Sequence, residues 1–183
     1  MVKNNGHKIA LTLDEAENLA NKLRQEGKKI VLTQGSWDMI HVGHARYLAE
    51  AKRYGDVLMV GTDSDEKIRD RKGTGRPVVP EDERLEMLTY LGSVDYVVLK
   101  QLNAPKYSLV KAVKPDVLIV IKQNYSDEQL KEIKKYCKEV KILPRMATTS
   151  TSAKLRMVQI GQVKKIESKL LKAIEGVLEE FRS

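Results

Sequence analysis

The chain has 183 residues, 42% of them hydrophobic and 32% charged, enough apolar residues for one full core and too few for a membrane protein. No apolar run approaches the roughly 20 residues of a spanning helix, and the polar start is not a secretory leader. The single cysteine, Cys137, excludes an internal disulfide framework, so a reducing cytoplasm is the expected setting. The net charge of +8 suits anionic partners; with lysines spread along the chain and only 5% aromatics for stacking on bases, it points to phosphate-bearing small molecules rather than nucleic acid or membrane.

Met1 to Lys8 is polar and reads as loose chain. Thr12-Leu13-Asp14-Glu15 is a capping box, threonine at the N-cap and glutamate three residues on, that predicts a helix to about Gln25. Leu13, Ala16, Leu19, Ala20 and Leu23 give this helix its apolar face, and Gly27 ends it. Ile30-Val31-Leu32 reads as a buried parallel strand, and Ala45 to Lys52 as a helix. Further buried strands are predicted at 57–61, 96–99, 116–121 and 140–143, separated by helices at 81–92, 105–113 and 126–138. Near-continuous apolar strands alternating with helices predict a five-stranded parallel sheet covered on both faces, a doubly wound, Rossmann-like α/β fold. From Val163 to Phe181 the chain reads as a charged amphipathic helix with Ile166, Leu170, Leu171, Ile174 and Leu178 on one face. That helix is expected to dock on the core or to form a dimer interface, since Glu167, Glu175, Glu179 and Glu180 count against a membrane.

The strand at Ile30 leads into Gly35-Ser36-Trp37-Asp38-Met39-Ile40-His41-Val42-Gly43-His44. Two histidines three apart at the start of a helix point the same way, one turn apart. Imidazole donates hydrogen bonds to phosphate oxygens near neutral pH, and the N–H groups and positive dipole end of the helix favour the same anion. Read without this context, the pair would be surface or core histidines or half of a metal site.

Downstream, Arg69 to Pro80 holds two glycines, two prolines and four cations and reads as a phosphate-attracting loop. Asp63-Ser64-Asp65 ends the second strand, there to contact a ribose or to cap the next helix. Pro80-Glu81-Asp82-Glu83-Arg84 opens a helix, and Arg84 either serves phosphate or pairs with acids of its own helix. Finally, Ser150-Thr151-Ser152, five residues after Arg145, opens another predicted helix and supplies hydroxyls for a second phosphate cradle or for simple capping.

His41-Val42-Gly43-His44 and the Arg145…Ser150-Thr151-Ser152 ending, over a hundred residues apart, together resemble the signatures of the cytidylyltransferase-like nucleotidyltransferases. The lead-in helix and Lys72-Gly73-Thr74-Gly75-Arg76-Pro77 resemble the heptose-phosphate adenylyltransferases within that family. The resemblance, which covers about residues 8–158, implies a lead-in helix over 1–27 and a nucleotidyltransferase domain over 28–160, and it says nothing of the amphipathic helix expected over 161–183. It also implies transfer of a nucleoside monophosphate from ATP to a sugar 1-phosphate with release of pyrophosphate. CTP with a polyol phosphate such as glycerol 3-phosphate is the alternative, because Ser36, Trp37, Gln123 and Asn124 depart from the heptose-enzyme pattern. A nucleotide-sensing module is the non-enzyme alternative. By the same resemblance His41, His44 and Lys72 are catalytic, with Lys72 on the acceptor phosphate. Gln34, Gly35, Ser36, His41, His44, Arg84, Arg145, Ser150, Thr151 and Ser152 bind nucleotide. Magnesium is expected on the nucleotide phosphates rather than on a protein metal site, and a homodimer is expected.

Overall fold

The structure, a computed structural model, describes residues 10–146, the backbone of Lys3, Asn4, His7 and Lys8, and four helical positions further on, Val158, Ile166, Lys169 and Leu170. The chain divides into Met1–Ala147 and Thr148–Ser183. Ser150, Thr151, Ser152 and most of the predicted tail helix lie outside the described residues.

Near the start, Lys3–Asn4 (β1) pairs antiparallel with His7–Lys8 (β2) where loose chain was expected. The sequence between the two is Asn5-Gly6, the strongest short-range hairpin signal. The capping box then forms as predicted: Glu15 N–H donates to Thr12 Oγ1, and Thr12 N–H to Glu15 Oε2 at 2.7 Å. Helix α1 runs Leu13–Gln25.

Five parallel strands follow, β3 (Ile30–Gly35), β4 (Val57–Asp63), β5 (Tyr96–Lys100), β6 (Val117–Val120) and β7 (Glu139–Ile142), in the order β5-β4-β3-β6-β7. Alternate residues of each strand face opposite sides. On one face Ile30, Leu32, Met59 and Leu118 pack against α1, α5 (Ser108–Val113) and α6 (Asp127–Ile133). On the other, Val31, Leu58, Val60 and Ile119 pack against α2 (Val42–Lys52) and α4 (Glu81–Thr89). Both faces of the inner strands are covered, which is why β4 and β6 read as unbroken apolar runs, whereas the edge strand β7 carries Glu139 and Lys141 and stays partly exposed. The β3–β4–β5 crossovers lie on one face and the β6–β7 crossover on the other, so the order reverses between β3 and β6. The gap outside the carboxyl ends of those two strands is where such sheets bind ligands.

Arg69 to Lys72, expected in a loop, instead forms the end of a helix, α3 (Asp65–Lys72). Ser64 caps it, with its Oγ accepting from Lys67 N–H. Asp65 and Glu66 lie in its first turn and Arg69, Arg71 and Lys72 in its last, as the helix dipole favours. The cap thus comes from Ser64 and not from an aspartate of Asp63-Ser64-Asp65.

Candidate functional site

Strand β3 ends at Gly35, and the chain needs an abrupt turn to enter α2. A side chain at Gly35 would bring its Cβ to 3.0 Å from the Trp37 indole, so glycine lets that ring fold back over the strand end. Trp37 and Met39 adopt φ of 50° and 51°, a left-handed conformation that costs non-glycine residues energy and persists only where the surroundings enforce it. The enforcement is visible. Buried Trp37 donates its indole N–H to the Gly61 carbonyl at 2.9 Å. Buried Asp38 takes Arg76 on one carboxylate oxygen, with Nε and Nη2 each at 2.8 Å, and also accepts the backbone N–H groups of Val78 and Val79. Asp38 therefore ties the turn to the 73–80 loop.

This held turn delivers His41 as the N-cap of α2, with His44 in the first helical turn. His41 Nδ1 accepts the Gly43 N–H at 3.0 Å, and His44 Nδ1 accepts the His41 N–H at 3.4 Å. The rings lie 4.1 Å apart and inclined by 31°, while Trp37 stands edge-on to His44 at 5.6 Å. The two histidines do point the same way. An imidazole nitrogen that accepts from a backbone N–H carries no proton of its own, so each neutral ring keeps its proton on Nε2. Two amides expected to face an anion are occupied within the turn, Gly43 N–H by His41 Nδ1 and His44 N–H by the His41 carbonyl. What the turn offers a phosphate is the imidazole N–H, with the helix dipole behind it.

A cluster of cations adjoins the same turn. Lys72 Nζ and Arg71 Nη2 donate to Ser36 Oγ at 3.0 and 2.8 Å. Arg71 also pairs with Asp63 at 2.9 Å, and Lys100, at the end of β5, pairs with the other Asp63 oxygen at 3.0 Å. Burial, then the neighbouring Arg71 and Arg76, hold the Lys72 pKa below the ordinary lysine value. Burial lowers Lys100 as well, against the pull of Asp63. The Tyr125 phenol is pushed up to about 12 by burial and by the Asp63 charge.

Arg84, expected at nucleotide phosphate, has other work. It is 1% exposed, and its five N–H groups all meet protein acceptors. Nε donates to the Val79 carbonyl, Nη1 to the Ser36 carbonyl and Thr62 Oγ1, and Nη2 to the Asp63 carbonyl and Asp65 Oδ1, at 2.6–3.0 Å. A guanidinium has no sixth donor. Arg84 is an internal brace joining the β3–α2 turn, the end of β4, α3 and the 73–80 loop.

Gln34 and Gly35 end β3, half-buried, beside Ser36. Arg145 is exposed beyond β7. Thus His41, His44, Ser36 and Lys72 come together around one turn, whereas Arg84 points inward. Asp38, Arg71 and Lys100 were not assigned from sequence. Their only local signal is charge, and their partners lie between 8 and 41 residues away. A separate cleft of about 420 Å³, lined by Trp37, Met39, Ile40, Val79 and Met87 among others, includes none of His41, His44 or Lys72.

Comparison with known proteins bears on this geometry. The family profile described as cytidylyltransferase-like matches residues 32–172. The chain is 39% identical over 163 residues to the bifunctional protein HldE of Aliarcobacter butzleri, covering 84% of this chain and 32% of that one. It is 37% identical over 161 residues to the protein of the same name from Helicobacter pylori strain HPAG1, covering 87% and 33%. The chain therefore spans about a third of the length of the curated relatives it matches. Among solved structures it is similar to the lipopolysaccharide core biosynthesis protein of Thermoplasma volcanium, with 30% identity, a TM-score of 0.56, and coverage of 64% of this chain and 98% of that one. A pantoate-beta-alanine ligase from Francisella tularensis, at 14% identity and TM-score 0.58 over 78% of this chain and 69% of that one, shares the fold alone. By the profile match, and by its identity with a relative it covers almost completely, this chain belongs to the cytidylyltransferase-like family.

Proposed function

We propose that the chain is a nucleotidyltransferase that moves AMP from ATP to a sugar 1-phosphate and releases pyrophosphate. One observation carries the reading: His41 and His44 lie 4.1 Å apart at the start of α2, on the turn that follows β3, beside the gap where doubly wound sheets bind ligands. An acceptor phosphate oxygen attacks the α-phosphorus, and a new P–O bond forms. The bond from that phosphorus to the bridging oxygen breaks, and pyrophosphate leaves with the electron pair. No covalent enzyme intermediate is required, only alignment and charge stabilisation. The two imidazole N–H groups hold phosphate oxygens of the nucleotide as negative charge builds, and Lys72 draws in the acceptor phosphate. Arg145 and the hydroxyls of Ser150, Thr151 and Ser152 take the β and γ phosphates.

Among the described residues, no three His, Cys, Asp or Glu side chains gather to hold a cation. The donors at the turn are imidazole, ammonium and guanidinium groups, which suit phosphate oxygens. Magnesium in this reading is held by the nucleotide's own phosphates and neutralises their charge. A homodimer working in the cytoplasm remains part of the proposal; no described helix is long and apolar enough to cross a membrane.

The choice of a sugar phosphate follows the resemblance carried by Lys72-Gly73-Thr74-Gly75-Arg76-Pro77. The test is pyrophosphate release from each of the four nucleoside triphosphates against a panel of sugar and polyol phosphates. Release with ATP and a sugar 1-phosphate is expected. If CTP outperforms ATP with every acceptor, the adenylyl assignment gives way to a cytidylyltransferase, and if no pairing yields pyrophosphate the transferase reading fails.

A further inference from the structure

Two cations from the last turn of α3 converge on one neutral oxygen. Arg71 and Lys72 both donate to Ser36 Oγ, from 35 and 36 residues away. The helix dipole accounts for positive charge at this end of α3. It does not account for two long side chains giving up rotamer freedom to fold back onto a single hydroxyl. Nor is Arg71 the sole counter-charge of Asp63, since Lys100, itself only 17% exposed, stands 3.0 Å from the other carboxylate oxygen. Arg71 remains 54% exposed, within reach of a ligand.

Resting on the transferase reading above, we infer that Arg71 is a second cation of the acceptor-phosphate site beside Lys72, and that the Ser36 hydroxyl marks the place of a phosphate oxygen. Three cations, Arg71, Lys72 and Lys100, share one buried carboxylate and one hydroxyl. Asp38 does not alter the balance, because Arg76 neutralises it. Among the described residues the cluster thus carries two positive charges beyond its one carboxylate, and the ligand that balances them is a dianion: a phosphate monoester, not a diester or a carboxylate. Burial first, and then the neighbouring cations, depress the Lys72 pKa, and a bound dianion offsets the second of these causes. Ser36 directly follows β3 in the turn that carries His41 and His44, so a phosphate bound there faces the nucleotide's site.

The test is pyrophosphate-release kinetics of the wild type, Arg71→Ala and Arg71→Lys, with acceptor and nucleotide varied separately. Calorimetric titration with inorganic phosphate, and with a sugar 1-phosphate against its methyl diester, gives a second readout. In Arg71→Ala the acceptor KM rises about tenfold to a hundredfold, the worth of one charge-assisted hydrogen bond, with nucleotide KM within twofold. Inorganic phosphate weakens in parallel, Arg71→Lys recovers part of both, and the wild type binds the diester at least tenfold more weakly than the monoester. Unchanged thermal midpoints show that the variants fold. Acceptor KM and phosphate affinity unchanged in Arg71→Ala, an equal loss toward nucleotide and acceptor, or a diester bound as tightly as the monoester would each overturn the inference. Failure of the wild type itself to release pyrophosphate with any pairing would instead count against the transferase reading, and the titrations would still decide the phosphate site.

Discussion

Replacing Arg84 with methionine tests whether this residue is a brace or a phosphate ligand. The side chain is fully buried, and methionine fills much of the same volume without a donor. Five acceptors each lose a donor: three carbonyls, of Ser36, Asp63 and Val79, the Thr62 hydroxyl and the Asp65 carboxylate. A buried acceptor left unsatisfied costs about 1–3 kcal/mol. These costs do not add in full, because Asp65 is 20% exposed and the loop ends can relax toward water. Removing one member of a buried charged network typically costs about 3–5 kcal/mol, and we expect Arg84→Met to fall in that range. At about 2–4 °C per kcal/mol for a domain of this size, the midpoint drops by roughly 10 °C. Trp37, the only tryptophan, is buried next to the braced turn, so its fluorescence reports unfolding in urea or on heating. Arg84→Lys is expected to fall between, since one ammonium has three donors and cannot span the fork. If Arg84→Met unfolds within about 1 °C of wild type while pyrophosphate release collapses, its donors serve the nucleotide and the brace is refuted.

His41→Ala and His44→Ala are each expected to lower turnover by about two orders of magnitude or more, seen in single-turnover pyrophosphate release. His41→Ala also loses about 1 kcal/mol of stability with its cap, and near-normal turnover in both variants would remove the pair from the chemistry. Because Lys72 is held below the ordinary lysine value of about 10.4, its ammonium is lost at lower pH than usual. Acceptor KM should therefore climb with pH before that value is reached, and a Lys72→Arg variant should show no such bend. The linked stability has the opposite sense: the folded chain binds fewer protons at Lys72 than the unfolded chain, so the burden of this charge eases as pH rises through the lowered pKa. A Gly61→Ala side chain would place its Cβ 2.5 Å from Leu109 Cδ2, and about 1–3 kcal/mol of overpacking should appear as a lower urea midpoint. Arg76→Met takes the guanidinium from the buried Asp38 carboxylate, and a loss of about 3–5 kcal/mol is expected, with faster proteolysis within 73–80.

Local chemistry is what the sequence by itself determined. Thr12 and Glu15 announce α1 because both halves of a capping box lie within four residues. The strands at Ile30, Val57 and Val117 are legible because two covered faces demand apolar side chains at every position. His41 and His44 are legible as a pair because helical geometry alone brings residues three apart onto one side. Helix α3 was read partly as loop because it buries only Ile68, leaving no apolar period to detect. The tertiary structure decided whatever depends on distant partners. It placed β6 beside β3, which opens the ligand gap, and no local signal states which strand a strand will neighbour. It turned Arg84 inward, since whether an arginine meets phosphate or five protein acceptors depends on where the β3–α2 turn, β4 and α3 converge. It joined Asp38 to Arg76, and Arg71 to Ser36, across 38 and 35 residues. Charge is written in the sequence one residue at a time, but its partner is chosen by the packing of the sheet and helices, and that choice exists only once the chain has folded.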